Sequence, residues 1–121
     1  MKIIIPGRPA TKKNSSRLGI VGKRRIILPS EAFERYEQEA LWHLKRHKEQ
    51  FAISVHVKCL YWLPNRQWWP DLIGLLQATS DILEKSGIIE NDKLIDSYDG
   101  SRIVGIDKQN PRVEIEIKAV G

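Results

Sequence analysis

The sequence predicts an α+β fold in two layers, a mixed β-sheet with two main helices packed on one face. Two kinds of periodicity carry this expectation. Residues 33–44 and 72–83 repeat apolar side chains at helical spacing, whereas residues 52–63 and 113–119 alternate apolar and polar side chains with the period of a strand. The order of elements is two strands, a helix, a long strand, a helix, short strands and a final strand. The natural packing for that order is helices against one face of a mixed sheet. A chain of 121 residues is large enough for a modest core and is expected to form one domain over residues 1–121.

Lys2 to Ile5 is a short β-branched run stopped by Pro6-Gly7, the first strand. Arg8 to Lys23 has no period and is expected to be a loop, with a second strand from Arg24 to Leu28 closing a hairpin-like excursion. Pro29-Ser30 then announces a helix with Glu31 and Glu34 in the first turn, where negative charge is favoured. Its buried stripe is Phe33, Tyr36, Ala40, Leu41 and Leu44. From Ala52 to Leu63 the long strand points Ile53, Val55, Val57, Cys59, Tyr61 and Leu63 to one side. A second helix follows Pro70, with Asp71 placed to cap or flank its first turn, and Leu72, Leu75, Leu76, Thr79, Ile82 and Leu83 facing inward until Gly87 stops it. Leu94 to Tyr98 and Arg102 to Val104 are weak strand signals, and Pro111 marks the start of the final strand.

Charge is unevenly spread. The first 25 residues hold eight Lys or Arg and no acid, out of totals of 20 basic and 15 acidic residues, so the remainder carries 12 basic against 15 acidic. A basic N-terminal segment and an acidic cluster in one small protein suit a polyanion held over a metal ion; a solvated basic face is the plainer alternative. Cys59 is the single cysteine, which excludes an internal disulfide and a cysteine-based zinc site. No stretch approaches the roughly 20 apolar residues of a membrane helix, so a reducing, cytoplasmic setting is expected. His43 and His47 stand at i, i+4 but have no acidic partner placed with them.

The acids gather at the ends of the second helix. Asp81 lies roughly 15 Å along it from Asp71, too far to share an ion. Asp92 can reach back only if residues 88–92 run extended and antiparallel to the helix. The helix from Asp71 to Gly87 covers roughly 24 Å, five extended residues return about 16 Å, and the remaining gap of about 8 Å is one that two aspartates and a metal could bridge.

Pro70-Asp71-Leu72, then Leu75, Ala78, Asp81, Leu83 and Gly87, then Asn91-Asp92, resemble the pattern of the RusA-type Holliday-junction resolvases, small dimeric nucleases of phages and bacteria. Pro9-Ala10-Thr11-Lys12-Lys13-Asn14 is similar to their early basic loop. The resemblance implies a RusA-like fold and a Mg²⁺-dependent (Mn²⁺ as alternative) endodeoxyribonuclease that resolves branched DNA by paired symmetric nicks as a homodimer. Asp71 matches the first family aspartate and Asp92 the last. Ile73 stands where the second aspartate belongs, Gly74 replaces the asparagine, Gln77 the lysine, and Asn91 the first acid of the later pair.

On this reading Asp71, Asp92 and Asp99 hold the metal, Asp99 with Asp96 being the nearest acids to replace the missing one. Arg102 or Lys93 then stabilises the phosphate in place of the lysine. Lys12, Lys13, Asn14, Arg17, Lys23, Arg24, Arg25 and Arg66 are the expected DNA contacts. Plainer roles stay open: Asp71 as a helix cap, Asp92 and Asp99-Gly100 as turn formers, Trp68 and Trp69 as interface packing rather than base stacking. A non-catalytic binder of branched DNA with a degenerate site is the rival function, and a protein-interaction module a third.

Overall fold

A computed structural model describes residues 1–12, 16–21, 24–29 and 31–121, with side chains described for 1–12 and 31–121. The elements are β1 (Lys2–Pro6), β2 (Ser16–Val21), β3 (Arg24–Pro29), α1 (Glu31–Leu44), β4 (Val55–Leu63), α2 (Leu72–Ser86), β5 (Ile95–Ser97), β6 (Arg102–Ile106) and β7 (Arg112–Ala119), with one 3₁₀ turn at Asp92–Leu94. This is the α+β arrangement that the periodicities predict. β2 falls inside the stretch expected to be a loop; it pairs antiparallel with β3 as a separate two-stranded ribbon.

The main sheet is mixed. β7 lies between β1 and β4, antiparallel to both, while β5 and β6 both pair parallel to β4. A parallel return from β4 to β5 requires a crossover, and α2 supplies it. Alternation assigns the faces. Ile3 and Ile5, Val55 to Leu63 at every second residue, and Val113, Ile115 and Ile117 are buried and join Tyr36, Ala40, Leu44, Leu75, Ile82 and Leu83 from the helices in one core. The opposite face carries Lys2, Ile4, Lys58, Leu60, Glu114 and Glu116 around an open groove. The expected inward position of Ile53 is corrected: β4 begins at Val55, and Ile53 is 56% exposed in the segment before it.

One buried polar contact ties helix to sheet. Thr79 Oγ1 donates to the Leu75 carbonyl at 2.8 Å, so the Tyr61 hydroxyl, 2.7 Å away, is the donor to Thr79. Both oxygens are thereby satisfied inside an apolar layer. Cys59 is fully buried in the same layer, and burial pushes its thiol up from 9.0 to about 12.

Two outcomes follow from this core. Leu83→Ala, at a site with no solvent exposure, should lower the unfolding free energy by about 2–5 kcal/mol in urea titrations. The Cys59 thiol is held neutral in the fold and ionises more readily once unfolded, so its contribution is complete below pH 9.0 and is lost as pH rises towards about 12. Melting temperature should therefore fall across that range, less steeply in Cys59→Ala, and a thiol reagent at neutral pH should label Cys59 only after unfolding.

Candidate functional site

Helix α2 starts where the chain can satisfy its free amides. Asp71 is extended (φ −83°, ψ 149°), its carbonyl accepts from Leu75 N–H at 3.1 Å, and its carboxylate accepts from Gly74 N–H at 3.1 Å. The plainer role of Asp71 as an N-cap is thus present in the structure. Gly74 is what permits it. A Cβ on residue 74 would lie 2.7 Å from Asp71 Oδ1 and 3.2 Å from the Thr11 methyl carbon, so the missing side chain makes room for both the folded-back carboxylate and the buried Thr11. The other end stops at Gly87, whose left-handed φ of 83° lets its N–H bond to the Glu84 carbonyl.

The root of the basic N-terminal segment lies along the same helix. Thr11 packs at Gly74, and Lys12 Nζ is 3.7 Å from Asp81 Oδ2 and 5.8 Å from the centre of the Phe33 ring. Lys13, Asn14 and Lys23 lie outside the described residues, as do the side chains of Arg17, Arg24 and Arg25, whose backbones belong to β2 and β3. Arg66 is exposed in the loop before α2, its guanidinium 5.4 Å from the centre of the Trp69 ring.

Asp92 does not meet Asp71. The extended return that a shared site required is not formed: the chain bends at Ile88 and Glu90, Ile89 N–H bonds back to the Leu83 carbonyl at 3.3 Å, and Ile89 makes an isolated parallel bridge to Phe51, with Phe51 N–H on the Ile88 carbonyl and Glu90 N–H on the Phe51 carbonyl. Asn91 then caps the 3₁₀ turn through Lys93 N–H at 2.8 Å. Asp92 N–H donates to Glu84 Oε1 at 3.1 Å, which fixes Asp92 beside the C-terminal half of α2. Glu84 is thirteen residues beyond Asp71, on the order of 20 Å along the axis. The acid beside Asp92 is Glu84, while burial raises the Tyr98 hydroxyl, Ser80 lowers it through a hydrogen bond, and the charges of Asp92 and Asp81 raise it further.

Asp99 and Arg102 belong to the other side of the sheet. Asp99 lines a cleft of about 330 Å³ with His56, Lys58, Ser97, Glu116 and Lys118, all on the face away from the helices, where His56 Nδ1 lies 2.8 Å from Ser97 Oγ. Arg102 is in register with Leu60 of β4, and paired residues of adjacent strands share a face. The expectation that Asp99 and Arg102 complete a site with Asp71 and Asp92 within one chain is therefore corrected: the sheet stands between them. Asp96 is exposed in β5, and Lys93 is exposed in the 3₁₀ turn beside Asp92. Among the described residues no group of three or more His, Cys, Asp or Glu could hold a metal ion.

Sequence reasoning missed the Lys12–Asp81 contact and the part played by Gly74. Nothing in the linear order connects residue 12 with residue 81. The glycine three residues after a capping aspartate was a readable signal, because a helix gains from almost any other residue at that position.

The fold is a two-layer α+β arrangement in which the N-terminal segment meets the acid-bearing helix α2 at Thr11 and Lys12. The chain is a member of the endodeoxyribonuclease RusA family, whose pattern it matches over residues 6–118. It is similar to the crossover junction endodeoxyribonuclease RusA of Aquifex aeolicus strain VF5, with 32% identity over 87 residues, covering 69% of this chain and 65% of that relative. Among the described residues no helix is long and apolar enough to cross a membrane.

The cap yields a test of site geometry. Gly→Ala inside a helix ordinarily stabilises by up to about 1 kcal/mol. Gly74→Ala should instead be neutral or destabilising in thermal unfolding, because its Cβ displaces the Asp71 carboxylate. A clear gain in stability would mean that the carboxylate moves away at no cost.

Proposed function

We propose that this protein is a structure-selective endodeoxyribonuclease that cuts four-way or other branched DNA by paired symmetric nicks. The observation that carries the reading is family membership over residues 6–118; the sequence resemblance implies Asp71 and Asp92 as the first and last family aspartates, and both are exposed. The name of the Aquifex relative, a crossover junction endodeoxyribonuclease, supports the substrate class. Two symmetric cuts need two sites related by a twofold axis, hence a homodimer.

Hydrolysis of a phosphodiester is commonly assisted by Mg²⁺, which supplies an activated water and neutralises charge on the phosphate, and we carry Mg²⁺, with Mn²⁺ as the alternative, as the proposed cofactor. Asp71, Asp92 and Asp99 of one chain do not fit a shared ion, since one carboxylate caps a helix, one is anchored at the other end of that helix and one lies across the sheet. Asp92, beside Lys93 and Glu84, is the acid we assign to the reaction; Asp71 organises the start of α2. Lys12 and Arg66, with Lys13, Asn14, Arg17, Lys23, Arg24 and Arg25 of the basic arm, would take DNA phosphates, giving affinity that falls steeply with salt.

A second reading, a binder of branched DNA without cleavage, draws on the side chain at 73. Ile73 is 77% exposed at the position of the missing aspartate, so packing does not demand an apolar residue there. Ile73→Asp should fold with a stability change within about 0.5 kcal/mol, and any gain in Mg²⁺-dependent cutting would identify the lost ligand position.

The deciding experiment is cleavage of a labelled four-way junction and of linear duplex, with Mg²⁺ or chelator. Paired nicks on the junction alone, abolished by chelation and reduced at least a hundredfold in Asp92→Asn, are the expected result. Tight junction binding with no cut under any condition would favour the binder. Asp71→Asn keeps a good capping group, so its melting temperature should match the parent, whereas Asp71→Ala should lose about 1 kcal/mol.

A further inference from the structure

The loop between β4 and α2 holds an indole out in water on a strained backbone. Trp68 is 78% exposed, and among the described non-glycine residues it alone has a positive φ, 55°. A bulky side chain disfavours that region, so the conformation persists only where neighbours impose it. They do so here from both sides. Gln67 N–H donates to Asn65 Oδ1 at 3.0 Å, the Arg8 guanidinium donates to the Gln67 carbonyl, Pro70 is buried, and Asp71 is held in the cap of α2.

Two arginines reach the loop that carries the ring. Arg66 lies over the neighbouring Trp69, itself 39% exposed, and Arg8 reaches the same loop from the end of β1. Trp68 is exposed in a loop that carries Arg66 and accepts from Arg8 at the Gln67 carbonyl, three residues before Asp71. A flat π-face beside cations suits a nucleobase with its phosphate, and only a base already out of the helical stack can offer its face.

We propose that Trp68 is a stacking platform for an unstacked nucleobase of branched DNA, with Arg66 receiving the adjoining phosphate. The proposal rests on the DNA-cutting reading above and adds the feature by which an opened branch point is told from continuous duplex. Stacking is indifferent to base identity, so the selectivity concerns shape rather than sequence.

The test uses the full chain, a gapped duplex with 2-aminopurine at the unpaired position, and the matching fully paired duplex. The parent should quench the 2-aminopurine and prefer the gapped DNA by on the order of tenfold. Trp68→Phe should keep most of both effects. Trp68→Gly should lose both while melting at the same or a higher temperature, because glycine adopts this φ freely, and while keeping the same salt dependence of binding.

Quenching that survives Trp68→Gly overturns the proposal. So does a Trp68→Gly variant that keeps its preference for gapped DNA yet changes subunit mass in sedimentation, which would assign the ring to a protein contact. A parent that binds branched DNA without quenching sinks the stacking alone; a parent that binds no DNA at any salt sinks the nuclease reading with it.

Discussion

The bond from Tyr61 to Thr79 joins β4 to α2 in the middle of the apolar layer, and the position of every candidate group is referred to it. With Thr79 donating to Leu75, the tyrosine hydroxyl has one direction left in which to donate, so the helix cannot slide along the strand without leaving a buried donor unpaired. Once α2 is fixed in register, its rise per residue distributes its acids. Asp71 is at the start, next to the loop from β4, and Asp81 is nearly three turns on, within reach of Lys12 and Tyr98.

That spacing divides the surface into two zones. At the start of α2 are Asp71, Ile73, Arg66 and the exposed Trp68, with Gly74 and Thr11 packed beneath. Further along are Asp81, Glu84 and Asp92, with Lys93 beside the last. The basic arm connects them, because Thr11 belongs to the first zone and Lys12 to the second.

The far face of the sheet is a different chemical setting. Glu116 accepts from Lys118 at 3.1 Å and is held below the usual carboxylate range by that bond and by the charges of Lys118, Lys58 and Lys2. Asp107 is lowered chiefly by the Asn110 backbone N–H, with Arg112 bridging it and Glu114. These charges compensate one another on an open sheet. Asp99 stands among them rather than among the acids of α2.

The sequence by itself determined the main elements, though not β2, and the family. Helical and strand periods, Pro70 and Gly87 at the ends of α2, and the aspartates at 71 and 92 are local signals, written in neighbouring residues, and the α+β fold follows from their order. Which acids meet was a matter of distance across elements, and no local signal carries it. A shared site required an extended return after Gly87, but the chain bends at Ile88 and Glu90 and Glu84 takes the Asp92 amide, which leaves Asp92 beside the C-terminal half of α2. In the same way, only strand register decided that Asp99 and Arg102 fall behind the sheet: pairing of β6 with β4 sets their face, and pairing is a contact between segments some forty residues apart.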